Sequence, residues 1–214
     1  MKRVIVGFDL DDTLVAEVLF IRSGIRYIAR LLHSRLPGIS EERITWRMEA
    51  AAMRRQNHYS ALESLLSESG LTDTVNMRAI VSEFRSHLPD PEIYHAAPSI
   101  LDMLETLRGN PEIETVLITD GRSSTQRNKI QSAGLYAFFD SDNIYISEET
   151  GYDKTSPDTF LRVMEKYAGA DEFHYVGDNP AKDFLHPSRL GWHTHRVHPF
   201  PLMIHQGMPR YRCI

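Results

Sequence analysis

Apolar positions recur along this chain with two different periods, and where the period changes the architecture is expected to change with it. Residues 4–8, Val-Ile-Val-Gly-Phe, form a short unbroken apolar run rich in β-branched side chains. Such a run predicts a strand buried on both faces of a parallel sheet. Runs at 115–119 and 172–176 behave alike, a weaker one spans 143–146, and each ends in polar or glycine-containing sequence. Between them, residues 98–107, 123–133 and 157–167 predict helices; Ile100, Leu101, Leu104 and Leu107 mark the first, and Phe160, Leu161, Met164 and Tyr167 the third. Alternating strand and helix predicts a Rossmann-like, doubly wound α/β core.

Residues 16–95 break the alternation, because nothing in them has strand character and almost all of it is amphipathic at helical spacing. The pattern predicts helices at about 17–35, 40–57, 59–69 and 73–88, separated by Pro37-Gly38, by Asn57-His58 and by Gly70-Leu71. Ser40 followed by Arg43 is half a capping box. The proline-rich stretch 88–98 returns the chain to the core. The expected organisation is a core built from 1–15 and 96–214 with an all-helical cap inserted at 16–95. Trp46 and Met48 are expected inside the cap and Trp192 as a strand anchor, while 198–214, with three prolines and no periodicity, reads as a surface tail.

Composition narrows the setting. With 214 residues, 42% hydrophobic and 25% charged, the chain can bury one good core and carry a smaller insertion. A net charge of −5 demands no nucleic-acid partner. Cys213 is the single cysteine, so no intrachain disulfide can form and a reducing cytoplasm is expected. Lys2-Arg3 ahead of an apolar run looks like the opening of a signal peptide, but Asp9, Asp11 and Asp12 break the run too early, and no run is long enough to span a bilayer.

In open α/β sheets ligands bind beyond the carboxyl ends of the strands, where this sequence places its most reactive side chains. Asp9 and Asp11, two apart on an extended segment, point the same way. The second run ends in the Thr119 hydroxyl and an Asp120-Gly121 turn leading into a helix, a natural phosphate seat. Lys154 is a lone cation ahead of the third core helix, and the last run supplies Asp178 and, five residues on, Asp183. So many carboxylates repel one another unless a cation joins Lys154 in compensating them. Oxygen ligands with room for water suit Mg²⁺. A phosphate dianion repels a carboxylate nucleophile, so attack by Asp9 requires that metal and lysine neutralise the phosphoryl oxygens, while Asp11 handles the proton.

The motif set resembles the haloacid dehalogenase-like superfamily, in the branch whose helical cap follows the first core strand. Phe8-Asp9-Leu10-Asp11-Asp12-Thr13-Leu14 is similar to its first motif and Leu117-Ile118-Thr119-Asp120-Gly121 to the second. Gly151-Tyr152-Asp153-Lys154 is similar to the third, and the stretch from Val176-Gly177-Asp178 to Lys182-Asp183 to the fourth. The resemblance implies Asp9 as nucleophile and metal ligand, and Asp11 as acid/base and ligand through its backbone carbonyl. It also implies Asp178 as the third ligand, Thr119 and Lys154 holding the phosphoryl group, and Asp183 in an outer shell. Asp12 stands where many relatives have glycine, Asp120 where asparagine is usual, and Lys154 is followed by Thr155-Ser156-Pro157 where Lys-Pro is common. True dehalogenases of the superfamily lack the acid/base aspartate, so Asp11 favours phosphoryl transfer.

The expected function is Mg²⁺-dependent hydrolysis of a small phosphorylated metabolite through an aspartyl-phosphate, without nucleic-acid or membrane partners. A phosphomutase with the same nucleophile stays open beside it, and a non-catalytic regulatory protein ranks below because Asp9, Asp11 and Lys154 are all present. An EF-hand is excluded because its glycine and glutamate positions hold Leu14 and Phe20, and no P-loop motif occurs. His193, His195 and His198 read as a surface strand in preference to a zinc site. Arg22, Arg26, Arg54, Arg55, His58 and Tyr59 read mainly as a solvated helix face that could meet an anionic substrate.

Overall fold

A computed structural model describes residues 2–36 and 38–197. Five strands, Val4–Phe8 (β1), Ile113–Thr119 (β2), Ile144–Ile146 (β3), Glu172–Gly177 (β4) and His193–Arg196 (β5), form one sheet in the order β3-β2-β1-β4-β5. Every pairing is parallel, so all five carboxyl ends lie on one edge. The chain builds outward from β1 through β2 to β3, then crosses back to lay β4 and β5 on the other side. That reversal places a switch point beside the end of β1, where α/β proteins bind ligands.

Successive side chains on a strand face opposite ways, so each inner strand feeds two cores. Ile5, Val116, Ile118 and Tyr175 join Phe160, Val163 and Trp192 on one face. Phe8, Leu117, Ile144 and Ile146 join Leu104, Ile130 and Phe139 on the other. Trp192 is buried just ahead of β5, as its sequence position predicts.

Helices Glu17–Arg35 (α1), Glu41–Met53 (α2), His58–Glu68 (α3) and Met77–Ser86 (α4) occupy the segment between β1 and Pro98–Arg108 (α5), with no strand among its described residues. Their inward residues, including Ile25, Ile28, Leu32, Met48, Leu62, Leu65 and Phe84, are continuous with the second of those cores. Ser40, Asn57 and Asn76 accept backbone N–H bonds at the starts of α2, α3 and α4. Two expected boundaries move: α2 stops at Met53, with Arg55 in left-handed backbone at φ 60°, and α4 starts only after the Asn76 cap, behind a 3₁₀ turn at Thr72–Thr74.

The expectation for Trp46 is wrong. Ile44, Met48 and Ala51 form the buried face of α2, and at about 100° per residue Trp46 falls on the opposite side, 66% exposed. The remaining helices are Ser123–Ser132 (α6), Ser147–Thr150 (α7), Asp158–Lys166 (α8) and Leu185–Arg189 (α9). The tail expected at 198–214, including His198 and Cys213, lies outside the described residues.

Candidate active site

The ends of β1, β2 and β4 converge because these strands are neighbours. Asp9 follows β1 directly, its N–H donating to the Val176 carbonyl at 2.9 Å, so the adjacent strand fixes its backbone. Asp12 adopts φ 60°, a conformation cheap for glycine and tolerable for aspartate. Its carboxylate accepts from the Glu17 N–H at 2.8 Å and caps the start of α1, so aspartate at this position has its own structural use. Thr119 closes β2, 1% exposed, and Asp178 follows β4, half-buried.

Lys154 arrives in the loop between α7 and α8, and its Nζ donates to Asp9 Oδ1 and to Asp183 Oδ1, both at 2.6 Å. All three side chains are buried. The other Asp183 oxygen accepts from the Asn179 N–H at 2.8 Å. Gly177 makes room for that carboxylate: a Cβ there would stand 2.6 Å from Asp183 Oδ2. Asp120 steers Lys154 from behind, accepting its backbone N–H at 3.0 Å through Oδ1 and facing Lys182 Nζ at 3.3 Å through Oδ2. Gly121, at φ 146°, donates its N–H to Ser147 Oγ at 2.9 Å.

One lysine faces two buried carboxylates here. Burial pushes Asp9 from its ordinary 3.8 up to about 8; Lys154 opposes the shift, and Asp183 and Asp11 add to it. Burial works against the charge on Lys154 too, but Asp9, Tyr175 and Asp183 outweigh it and hold the amine well above the usual lysine range. Lys154 therefore stays charged, and Asp9 holds its proton to higher pH than an ordinary carboxylate unless a further positive charge stands beside it.

Among the described residues, Asp9, Asp178 and Asp183 form a group whose carboxylate oxygens lie within 4.8 Å of one another. An all-carboxylate donor set served by a single lysine fits a hard divalent cation, whose charge would favour the ionised form of Asp9. Asp183 is held by Lys154 through Oδ1 and by the Asn179 N–H through Oδ2, so both of its oxygens are engaged within the protein. Asp11 does not join this group; its carboxylate turns to α6. Lys129 Nζ donates to both Asp11 oxygens at 2.7 and 2.8 Å. Gln126 Nε2 lies 3.0 Å from Asp11 Oδ2, 2.6 Å from Thr119 Oγ1 and 3.0 Å from the Asp120 carbonyl.

The sequence reading missed Gln126 and Lys129, since two polar residues three apart on a polar helix look like a solvated face. The available signal was their distance from the Thr119-Asp120-Gly121 turn: they sit one and two helical turns beyond a proposed phosphate seat. His193 and His195 lie on β5 as the strand reading has it, with His174 stacked on both and its Nδ1 2.9 Å from His195 Nε2. His58 and Tyr59 pack on Phe84 and are part-buried, not a solvated face; Arg54 and Arg55 are exposed.

The fold is a Rossmann-like parallel α/β sheet with a lysine-paired aspartate at its central strand end and further carboxylates at the next. The haloacid dehalogenase-like hydrolase family model matches residues 4–185, and the chain belongs to that family. By sequence, a 96-residue stretch is 32% identical to the pyrimidine 5'-nucleotidase YjjG of Escherichia coli (strain K12), covering 44% of this chain and 41% of that protein. A 100-residue stretch is 27% identical to YfnB of Bacillus subtilis (strain 168), covering 46% and 41%. The chain thus spans about two fifths of the length of either curated relative. The solved structure of YfnB, bound to magnesium, superposes with a TM-score of 0.65 at 19% identity, over 99% of this chain and 91% of that one. A HAD phosphatase from Thermococcus onnurineus superposes with a TM-score of 0.56 at 22% identity, over 99% and 90%.

Proposed function

We propose that this chain is a Mg²⁺-dependent phosphomonoester hydrolase that acts in the cytoplasm on a small phosphorylated metabolite, with Asp9 as nucleophile. The observation that carries the reading is the buried Lys154, 2.6 Å from Asp9 Oδ1, beside a second aspartate at Asp11. Asp9 attacks phosphorus, forming an Asp9–O–P bond as the P–O bond to the leaving alcohol breaks, and the alcohol oxygen takes a proton from Asp11. Asp11, now a carboxylate, takes a proton from a water whose oxygen attacks the same phosphorus; the Asp9–O–P bond breaks, and phosphate leaves.

Lys154 and the Thr119 hydroxyl hold the phosphoryl oxygens, with the Asp120-Gly121 turn shaping that side. The charge on Lys154 offsets the repulsion between phosphate and carboxylate. Asp9, Asp178 and the backbone carbonyl of Asp11 would hold Mg²⁺, with Asp183 outside them orienting Lys154. When bound there, the cation supplies the positive charge that lets an ionised Asp9 and a phosphate dianion approach. Residues 16–95 act as a cap over the strand ends, excluding water and making the contacts that choose the substrate. The presence of Asp11 favours this chemistry over the dehalogenation known in the family. The relationship to a pyrimidine nucleotidase makes nucleoside monophosphates sensible members of a first substrate panel.

The test is phosphate release from a panel of small phosphoesters, with Mg²⁺ and with chelator, comparing wild type with Asp9→Asn. Mg²⁺-dependent release that disappears in Asp9→Asn is expected. An Asp9→Asn protein that still turns over would sink the mechanism.

A further inference from the structure

In the reaction proposed above Asp11 must both give and take a proton at the phosphorus-bound oxygens, so the direction of its carboxylate matters as much as its presence. We propose that Lys129, assisted by Gln126, is the positioning residue that sets this direction; the inference rests on the phosphatase reading. Both residues come from the inward face of α6, whose buried side chains are Gln126, Lys129 and Ile130. A helix that turns a lysine and a glutamine inward gives up apolar burial there and needs a compensating use for them.

The use is visible in the contacts. Lys129 Nζ spans both Asp11 oxygens at 2.7 and 2.8 Å and sets the direction of the carboxylate, while Gln126 Nε2, 3.0 Å from Oδ2, restrains its rotation. The Lys129 side chain is 4% exposed and that of Asp11 23%, so the ammonium is shut in while the carboxylate keeps one open side. Phe20 of α1 lies under the ammonium at 4.5 Å, giving Lys129 a second anchor. Gln126 then ties the same carboxylate to the Thr119 hydroxyl and to the Asp120 carbonyl. The proton-handling group and the hydroxyl that faces the phosphoryl group are thereby held at a fixed spacing by one amide. Lys129 acts through Asp11 and not on the substrate.

A structural lysine and a positioning lysine predict different kinetics. Loss of proton delivery harms esters with poor leaving groups most, because a good leaving group departs without help. Lys129→Met keeps the length and the apolar contact with Phe20 while removing both donors. Its kcat/KM is expected to fall on the order of 10²-fold on an alkyl phosphate but less than about tenfold on p-nitrophenyl phosphate. Lys129→Arg, which keeps the two-point hold, is expected to restore much of the alkyl activity.

Circular dichroism and thermal melts establish that each variant is folded; if Lys129→Met is not, Lys129→Gln carries the same comparison. Equal losses on both esters, or no loss, overturn the positioning role while leaving the phosphatase reading intact. Absence of Asp9-dependent release from either ester in the wild type overturns the phosphatase reading, and this inference with it.

Discussion

At the scale of single residues, the site is an arrangement of buried charges in which the positive partner is outnumbered. Lys154 satisfies one oxygen of Asp9 and one of Asp183, and burial raises Asp9 further than the lysine can bring it down. The sign of the resulting pH dependence follows from linkage. Asp9 binds its proton more tightly when folded than its ordinary 3.8, so its contribution to stability is complete below about pH 4 and is lost as pH rises through about 8. In chelator, wild-type protein is therefore expected to lose stability across that window, while Asp9→Asn, which cannot ionise, follows a flatter course. Thermal melts of both proteins between pH 4 and 8 measure the difference; parallel curves would show that Asp9 is not the strained carboxylate. Gly177 belongs to the same scale, since only the lack of a Cβ lets the Asp183 carboxylate sit against β4.

At the scale of elements, the hydrophobic pattern predicts existence and type well but assigns faces less securely. The four core strand runs and the helices at 98–107, 123–133 and 157–167 reappear with ends shifted by a residue or two. In α2, a tryptophan that reads as core by size lies on the outer face, because helical phase and not hydrophobicity decides which side meets α1 and α3. Trp46→Ala is accordingly expected to change stability by less than about 0.5 kcal/mol, whereas Met48→Ala, at a fully buried position, costs about 2–5 kcal/mol. Urea denaturation of the two variants checks the assignment of faces. In α6, Gln126 and Lys129 belong to a polar helix and yet are buried, because the partner they face is the Asp11 carboxylate from the loop after β1 and not an apolar layer.

At the scale of the whole molecule, the order of strands turns separate motifs into one site. Asp9 and Asp178 are far apart in sequence but meet because β1 and β4 pair in register, Phe8 beside Val176. If their carboxylates hold Mg²⁺ as proposed, binding favours the folded state by mass action. At a concentration about a hundred times its Kd the cation contributes about 2.7 kcal/mol, raising the melting temperature by roughly 5–10 °C. Calorimetry with and without Mg²⁺ is expected to show this rise in the wild type and its loss in Asp178→Ala. Among the described residues no helix is long and apolar enough to cross a membrane.

What the sequence determined by itself is the set of chemical groups and their place on elements: a carboxylate pair after an apolar strand, a threonine and a glycine turn after another, a lysine before a helix. These are local facts, set by period two against period 3.6 and by which residues end a run. Only the tertiary structure decided that Asp183 and not the Asp11 carboxylate stands with Asp9 and Asp178, that Lys129 and Gln126 hold Asp11, and that Trp46 faces outward. Each of those outcomes depends on which elements become neighbours and in what rotation. That is settled by the packing of the whole chain, where a side chain's partner is drawn from residues more than a hundred positions away.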